Sequence, residues 1–518
     1  MKWLNRKILI VAGVVVFSWM TACSNPGDSK SVAQTSTPKS TSTATVNFDP
    51  MQKYDPPIEL STVGFIDDTF KFADGDSIEN NVWTRGYDSE LGIKLKYLWV
   101  AKGADQGQTK LNVTLASGEL PDLMQVNAVQ LKQLIDAGSI ADLTDVYAKY
   151  ASPEMKDMLT QDGGIGMSAA TFKGKLMAIP VLNADTDTSQ LVWIRQDWLD
   201  KLNLPAPKTM ADLLKITEAF TKQDPDGNGK ADTFGLAVTK DLNGTGASDL
   251  QGFFNGYHAY PKTWIKTPDG KLAYGSIQPE MKDALKSLQQ LFADGQIDKE
   301  FGVKDGGKVA ESIAAGKIGV EFGQHWNSFW PLADAVKNNP KAVWRVYPIV
   351  SVDDKPLKVQ VSAGASNFYV VSKKAKHPEA AIKIANFSLL KGFGKSATKA
   401  TWDTYMGLPK SDKYPNGIEL FKYASIMIAP PRKNLDLYNH ITEARKNNDT
   451  SKLRFDELTV YDHQTAGLNG DKTHWDENLI FGKNGAQSII NNYVTNGMLL
   501  PGAFYGAPTP SMVKIRQH

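Results

Sequence analysis

Gln190-Leu-Val-Trp-Ile194 is an apolar run of strand length, and residues 210–223 (Met-Ala-Asp-Leu-Leu-Lys-Ile-Thr-Glu-Ala-Phe-Thr-Lys-Gln) repeat their apolar positions at helical spacing. The same change of period recurs on either side. Ile58–Phe65 alternates like a strand, Ser77–Leu91 reads as a helix, and Ile93–Val100 as a second strand. Asp105–Ser117 has helical spacing, and Gly118-Glu-Leu-Pro-Asp122 turns into a strand ending at Val126. Further helices are predicted at Pro279–Asp294 and His377–Leu390. Strands that alternate with helices predict an α/β architecture with largely parallel sheets.

Two stretches read as crossings between separate bodies. One is Ala178-Ile-Pro-Val-Leu-Asn-Ala-Asp185, which leads into the 190–194 strand; the other is Val359-Gln-Val-Ser-Ala-Gly-Ala365, which leads into Phe368–Ser372. Both are polar or Gly/Pro-punctuated joints between strand-like runs. Such joints let a few residues absorb a rotation while the bodies stay rigid.

Directly after the 210–223 helix comes Asp224-Pro-Asp226-Gly-Asn228-Gly229-Lys230-Ala-Asp232. Oxygen side chains fall at loop positions 1, 3, 5 and 9, the Lys230 carbonyl is available at 7, and Gly229 at 6 permits the sharp turn. That is the ligand order of an EF-hand-type calcium loop, although Gly235 occupies the twelfth position where a bidentate Glu is expected. The expected cofactor is a structural Ca2+ held by Asp224, Asp226, Asn228, Lys230 and Asp232. An ordinary solvated Asp/Asn/Gly turn is the alternative.

The single cysteine of the 518 residues is Cys23. It follows a basic start (Lys2, Arg6, Lys7), an apolar stretch from Ile8 to Phe17, and small residues. The apolar run is about half of what spans a bilayer. It resembles a bacterial lipoprotein signal, with residues 1–22 removed and Cys23 acylated, although Met20 stands where Leu is usual. A short membrane helix with an incidental cysteine is the alternative. Residues 23–57, rich in Ser and Thr, read as a disordered tether. Without disulfides, the remainder must be held by its core. With 58 Lys plus Arg against 56 Asp plus Glu, nothing in the charge balance points to nucleic acid.

Several segments together resemble the extracellular solute-binding lipoproteins of carbohydrate ABC importers in Gram-positive bacteria of the Paenibacillus and Bacillus type. They are Gly118–Asp122, Trp193–Leu202, Pro207-Lys-Thr209, Phe220–Leu236, Ala363-Gly364 with His377–Lys383, and Gly506–Met512. The resemblance implies a two-lobe periplasmic-binding-protein-like (type II) fold with a hinge and an interlobe cleft. One lobe would comprise 58–180 plus about 364–425, and the other about 185–358 plus 430–518. It also implies a non-enzymatic monomer on the outer face of the membrane, with an oligosaccharide solute, an ABC permease and the bilayer as partners. Relatives of this kind continue with one more helical region where this chain stops, at His518.

Sugars present apolar faces and rings of hydroxyls, so a binder needs flat aromatic rings beside fixed hydrogen-bonding groups. The candidates are Asp122 with Gln125 and Asn127, Trp193 with Arg195, the cluster Gln324-His325-Trp326-Asn327 with Trp330, Phe254-Asn255-Gly-Tyr257, and Trp402. Any one of these tryptophans could instead be a core residue, and Arg195 a salt-bridge partner between lobes. An anchored polysaccharide-degrading enzyme is the main rival, through carboxylates such as Glu321 near His325 or Asp476 with Glu477. No HExxH motif or Gly-x-Ser-x-Gly elbow supports it. Gly392-Phe-Gly-Lys-Ser396 lacks the first glycine of a P-loop. A peptide receptor or surface adhesin is the third reading.

Overall fold

The structure is a computed structural model that describes residues 49–66, 71–244, 246–408, 411–414 and 417–504. The leader, Cys23, most of the tether and the Gly506–Met512 segment lie outside the described residues. From Asp49 onward the chain forms one compact unit, inside which two separate hydrophobic cores are buried. The first draws on residues between Leu60 and Ile179 and between Phe368 and Ile428. The second draws on Leu191 to Val359 and on Ala486, Ile490 and Tyr493. We refer to these as the first and second lobes.

In the first lobe a three-stranded sheet has the order Leu123–Asn127, Ala365–Val371, Ile179–Leu182. Beside it, Ile58–Ile66 pairs in parallel with Ile93–Lys102. Asp122 ties the two sheets together, its Oδ2 accepting from the Ser61 amide at 2.8 Å and the Ser61 hydroxyl at 2.7 Å. The second lobe has a four-stranded sheet in the order Trp344–Tyr347, Leu191–Arg195, Ile318–Gly323, Phe234–Leu236. Every residue of Leu191–Arg195 is buried, as the continuous apolar run requires of a strand covered on both faces.

Antiparallel pairs predominate in the three-stranded and four-stranded sheets, which corrects the expectation of largely parallel pairing. Ala365–Val371 runs antiparallel to both of its neighbours, and so does Leu191–Arg195. Each is the first strand after a crossing, so it enters its sheet from the hinge side, against the strands that leave from there.

Local chemistry explains the helices. Met210–Lys222 begins at Thr209, whose Oγ1 accepts from the Asp212 amide while Asp212 accepts from the Thr209 amide, a reciprocal cap. Its buried face is Met210, Leu213, Ile216, Thr217 and Phe220. Phe220 meets the edge of Trp198 at 5.2 Å, and both crowd Gly319, where an added Cβ would lie 2.3 Å from Phe220. The predicted 77–91 helix starts later, at Val82, because Asn81 caps it by accepting from the Trp83 and Thr84 amides.

Helices Lys433–Asn447, Phe455–Leu468 and Trp475–Phe481 touch both cores instead of joining the second alone. Phe455 meets Trp402 of the first lobe at 5.6 Å, and Arg454 donates to the Phe393 carbonyl at 2.7 Å. Trp475 and Leu479 pack against the second core.

Candidate functional site

The strand registers decide which sheet edges face the hinge. In the first lobe Asn127 pairs with Asn367, two residues into the strand that follows a crossing. In the second lobe Gly323 pairs with Leu191, the first residue of the strand after the other crossing. The carboxyl ends of Leu123–Asn127 and Ile318–Gly323 therefore both point to the hinge, where ligands collect in open α/β sheets.

On the first lobe this edge holds a cavity of about 490 Å3 lined by Phe65, Gln125, Asn127, Gln130, Asn367 and Lys422, among others. Gln125 and Asn127 are thus brought together. The Asn127 side-chain oxygen is committed to capping Ala128–Asp136, accepting from the Gln130 amide at 3.0 Å. Asp122 is spent on Ser61, as described above, so its carboxylate serves the scaffold.

On the second lobe the edge continues into Gln324–Trp330. Trp326 and Trp330 lie nearly parallel, 16° apart with ring centroids 6.3 Å from each other. Gln324 Oε1 accepts from the Trp326 indole at 2.7 Å, which fixes that ring's orientation. The other side of Trp326 packs on Gly246, at φ +80°, where a Cβ would come within 2.8 Å of the ring. Trp330 is 40% exposed and Phe329 48%. The result is a rigid aromatic surface with one open end.

Beside this surface lies a partly buried polar cluster that joins segments distant in sequence. Asn434 donates to Asp187 at 2.7 Å and lies 3.2 Å from His325 Nε2. Arg432 forms a two-point bond to Asp185, at 2.6 and 3.2 Å. Burial lowers the His325 pKa and keeps the ring neutral. These partners were invisible in sequence, since 247 positions separate each pair.

Glu321, four residues before His325, is fully buried. It accepts from Ser248 at 3.1 Å and Asn327 at 3.3 Å, and not from His325. Burial pushes its carboxyl up to about 7 from an ordinary 4.5. Between those values the folded chain keeps a proton that the unfolded chain has released. Stability is therefore lost as pH rises through the window, by about 3 kcal/mol in all. Urea midpoints taken at pH values below and above this window should differ, and Glu321→Gln should flatten the difference. An unchanged slope in the variant would show that the carboxyl ionises normally.

Three candidates belong to the core, which corrects their assignment as solute contacts. Trp193 is 0% exposed, its indole N–H has no partner, and it sits between Glu321 and Val346 in the sheet. Arg195 is buried under the sheet edge, paired with Asp197 at 2.6 and 2.8 Å and held over the Trp198 ring. Tyr257 is packed against Phe253, with its hydroxyl bonded to Ser287. Phe254 and Asn255 are likewise buried, Asn255 accepting from the Gln360 amide.

Trp402 lies elsewhere. It meets Phe393 and Phe455 edge-on and lines a cavity of about 500 Å3 between the first lobe and helices Lys433–Asn447 and Phe455–Leu468. Lys433 and Asn434 also border this cavity, so it adjoins the Asp187–His325 cluster.

The Asp224–Asp232 loop keeps its oxygens together. The Asp224 carboxylate accepts from the amides of Gly227, Asn228 and Gly229 at 3.0–3.1 Å. Asn228 bridges Asp226 at 2.8 Å and Asp232 at 3.1 Å. Burial and the adjoining Asp224 carboxyl raise the Asp226 pKa. Lys317 pairs with Asp232. Gly235, in the twelfth position, donates its amide to the Gln296 carbonyl at 3.0 Å and offers no side chain.

Residues 71–393, more than half of the chain, match the family model described as bacterial extracellular solute-binding protein. The chain belongs to this family. Among curated relatives of this solute-binding protein, the polygalacturonan/rhamnogalacturonan-binding protein YtcQ of Bacillus subtilis is 28% identical over 296 residues, 56% of this chain and 55% of the relative. Lipoprotein LipO of the same organism is 30% identical over 243 residues, 46% and 45% of the two chains. The solute-binding protein thus spans about half the length of the curated relatives it matches. In fold it is similar to the substrate-binding protein FusA of Streptococcus pneumoniae in complex with kestose, with a TM-score of 0.54 and 19% identity over 85% of this chain and 100% of that one. An EF-hand mutant of FusA in complex with fructo-nystose matches at 0.53, again at 19% identity and over 85% and 100% of the two chains. Among the described residues no helix is long and apolar enough to cross a membrane.

Proposed function

We propose that this solute-binding protein captures an oligosaccharide between its lobes and delivers it to an ABC permease, held at the outer face of the membrane through acylated Cys23. The observation that carries this reading is the parallel Trp326–Trp330 pair, oriented by Gln324 at the hinge-facing edge of the second lobe. A sugar ring stacks its C–H face on such a surface and meets the Gln125 amide across the hinge. The carbohydrate ligands named for YtcQ and FusA support the same solute class. Solute shifts an open–closed equilibrium by its additional affinity for the closed form. Glu321, one of the acids considered for hydrolysis, is fully buried beneath this surface with no access to solute, which favours a receptor over an enzyme.

The Asp224–Asp232 loop would hold a structural Ca2+ through the carboxylates of Asp224, Asp226 and Asp232, the Asn228 amide and the Lys230 carbonyl. The EF-hand named for FusA supports this assignment. The ion would pin the loop between Met210–Lys222 and the strand Phe234–Leu236, at a distance from the solute.

Thermal unfolding of the full chain against oligosaccharides and peptides, with and without Ca2+, tests both statements. One sugar class should raise the melting temperature saturably and be recovered intact. Consumption of the sugar would overturn the receptor reading, and a response to peptides alone would overturn the solute class. Calcium should raise the melting temperature on its own, and Asp226→Ala should abolish that rise while sugar still stabilises. A rise that survives in Asp226→Ala would place the ion elsewhere.

A further inference from the structure

His463, His474 and Glu477 meet outside every surface discussed so far. His463 lies on helix Phe455–Leu468, His474 immediately precedes helix Trp475–Phe481, and Glu477 follows it by three residues. One ligand atom from each lies within 4.8 Å of the other two, and no other such group of three or more His, Cys, Asp or Glu occurs among the described residues. His463 Nδ1 is 3.1 and 3.3 Å from the two Glu477 oxygens. The two imidazoles stack face to face, with centroids 3.6 Å apart and planes 5° apart. All three side chains are half-buried. Burial raises the Glu477 pKa, with the His463 and His474 rings opposing it.

The His463–Glu477 hydrogen bond accounts for two of these residues and leaves the third unexplained. His474 has no hydrogen-bond partner for its ring among the described residues, yet it is held flat against His463. A cation shared by both rings and the carboxylate accounts for all three side chains meeting at one place, since each offers a ligand atom to it.

We propose that His463, His474 and Glu477 form a binding site for a divalent transition metal of the zinc type. Two imidazoles and a carboxylate are ligands suited to a cation of borderline softness, and three protein ligands leave a fourth position for water. A hard cation such as Ca2+, which takes six to eight oxygens, is poorly served here. Ligands of a tetrahedral ion at about 2.0–2.1 Å stand about 3.3 Å apart, a spacing that His463 Nδ1 and Glu477 already hold at 3.1 and 3.3 Å, so it is the His474 ring that must tilt out of parallel for its lone pair to converge. The site straddles the turn between two helices, and Trp475–Phe481 packs beside the His325–Ser328 turn that carries Trp326. Bound metal therefore fastens the scaffold under the aromatic surface.

The test is calorimetric titration of the full chain, made without a histidine tag, with Zn2+ at about pH 7.5 in saturating Ca2+. One equivalent should bind in the micromolar range or tighter and raise the melting temperature. His474→Ala, which breaks no hydrogen bond, and Glu477→Gln, which keeps the shape, should each weaken binding by about tenfold or more. His440→Ala, on the neighbouring helix, should leave it unchanged. The absence of saturable Zn2+ uptake, or uptake equal in His474→Ala, Glu477→Gln and the unaltered chain, would overturn the site.

Discussion

Replacing both Trp326 and Trp330 with alanine is expected to weaken binding of the sugar by about a hundredfold or more while hardly moving the melting temperature. Aromatic anchors at the centre of a binding surface commonly carry about 2 kcal/mol or more each, and every 1.4 kcal/mol is about tenfold in affinity. The two rings touch the same solute, so their losses should not add simply. Stability should change little because Trp330 is 40% exposed and Trp326 is only partly buried. Gln324→Ala should give a smaller loss, since it frees the Trp326 ring without removing it. Titration of the three variants with the sugar that stabilises the unaltered chain checks this. Full affinity in the double variant would remove the aromatic surface from the solute site.

Trp193→Ala should show the opposite pattern, costing about 3–5 kcal/mol of stability by emptying a fully buried indole volume. Trp193→Phe offers the sharper comparison. It keeps most of the packing, removes an N–H that has no partner, and should cost much less. Urea midpoints would measure both losses. At temperatures where the variants are folded, sugar affinity should match that of the unaltered chain. A fall in affinity for Trp193→Phe with little loss of stability would return Trp193 to the site.

These two tryptophans show what was legible in the sequence. Trp193 stands between Val192 and Ile194, with Arg195 the nearest polar residue after it, whereas Trp326 stands between His325 and Asn327. Flanking residues alone do not decide burial; the sheet does: Trp193 has a strand on either side, whereas Trp326 lies just past the end of one. The same limit applies to Tyr257. By contrast, strand Ile58–Ile66, helix Met210–Lys222 and the α/β class were readable because alternation, helical spacing and the Thr209 cap act over a few residues. Strand direction was not, because it depends on which edge of the sheet the chain enters after a crossing. The Asp185–Arg432 and Asp187–Asn434 pairs leave no local trace at all.

The position of Ala365–Val371 in the middle of its sheet sets the order in which this chain can mature. Both of its neighbours, Leu123–Asn127 and Ile179–Leu182, are made long before it. As the polypeptide emerges, the N-terminal half therefore waits with two strands unjoined while the next stretch is produced. The sheet running from Leu191 to Tyr347 has all four strands within one continuous stretch and can close on its own. Of these two sheets, the one begun first is thus the one completed later, and during that interval its unpaired edges are exposed to aggregation.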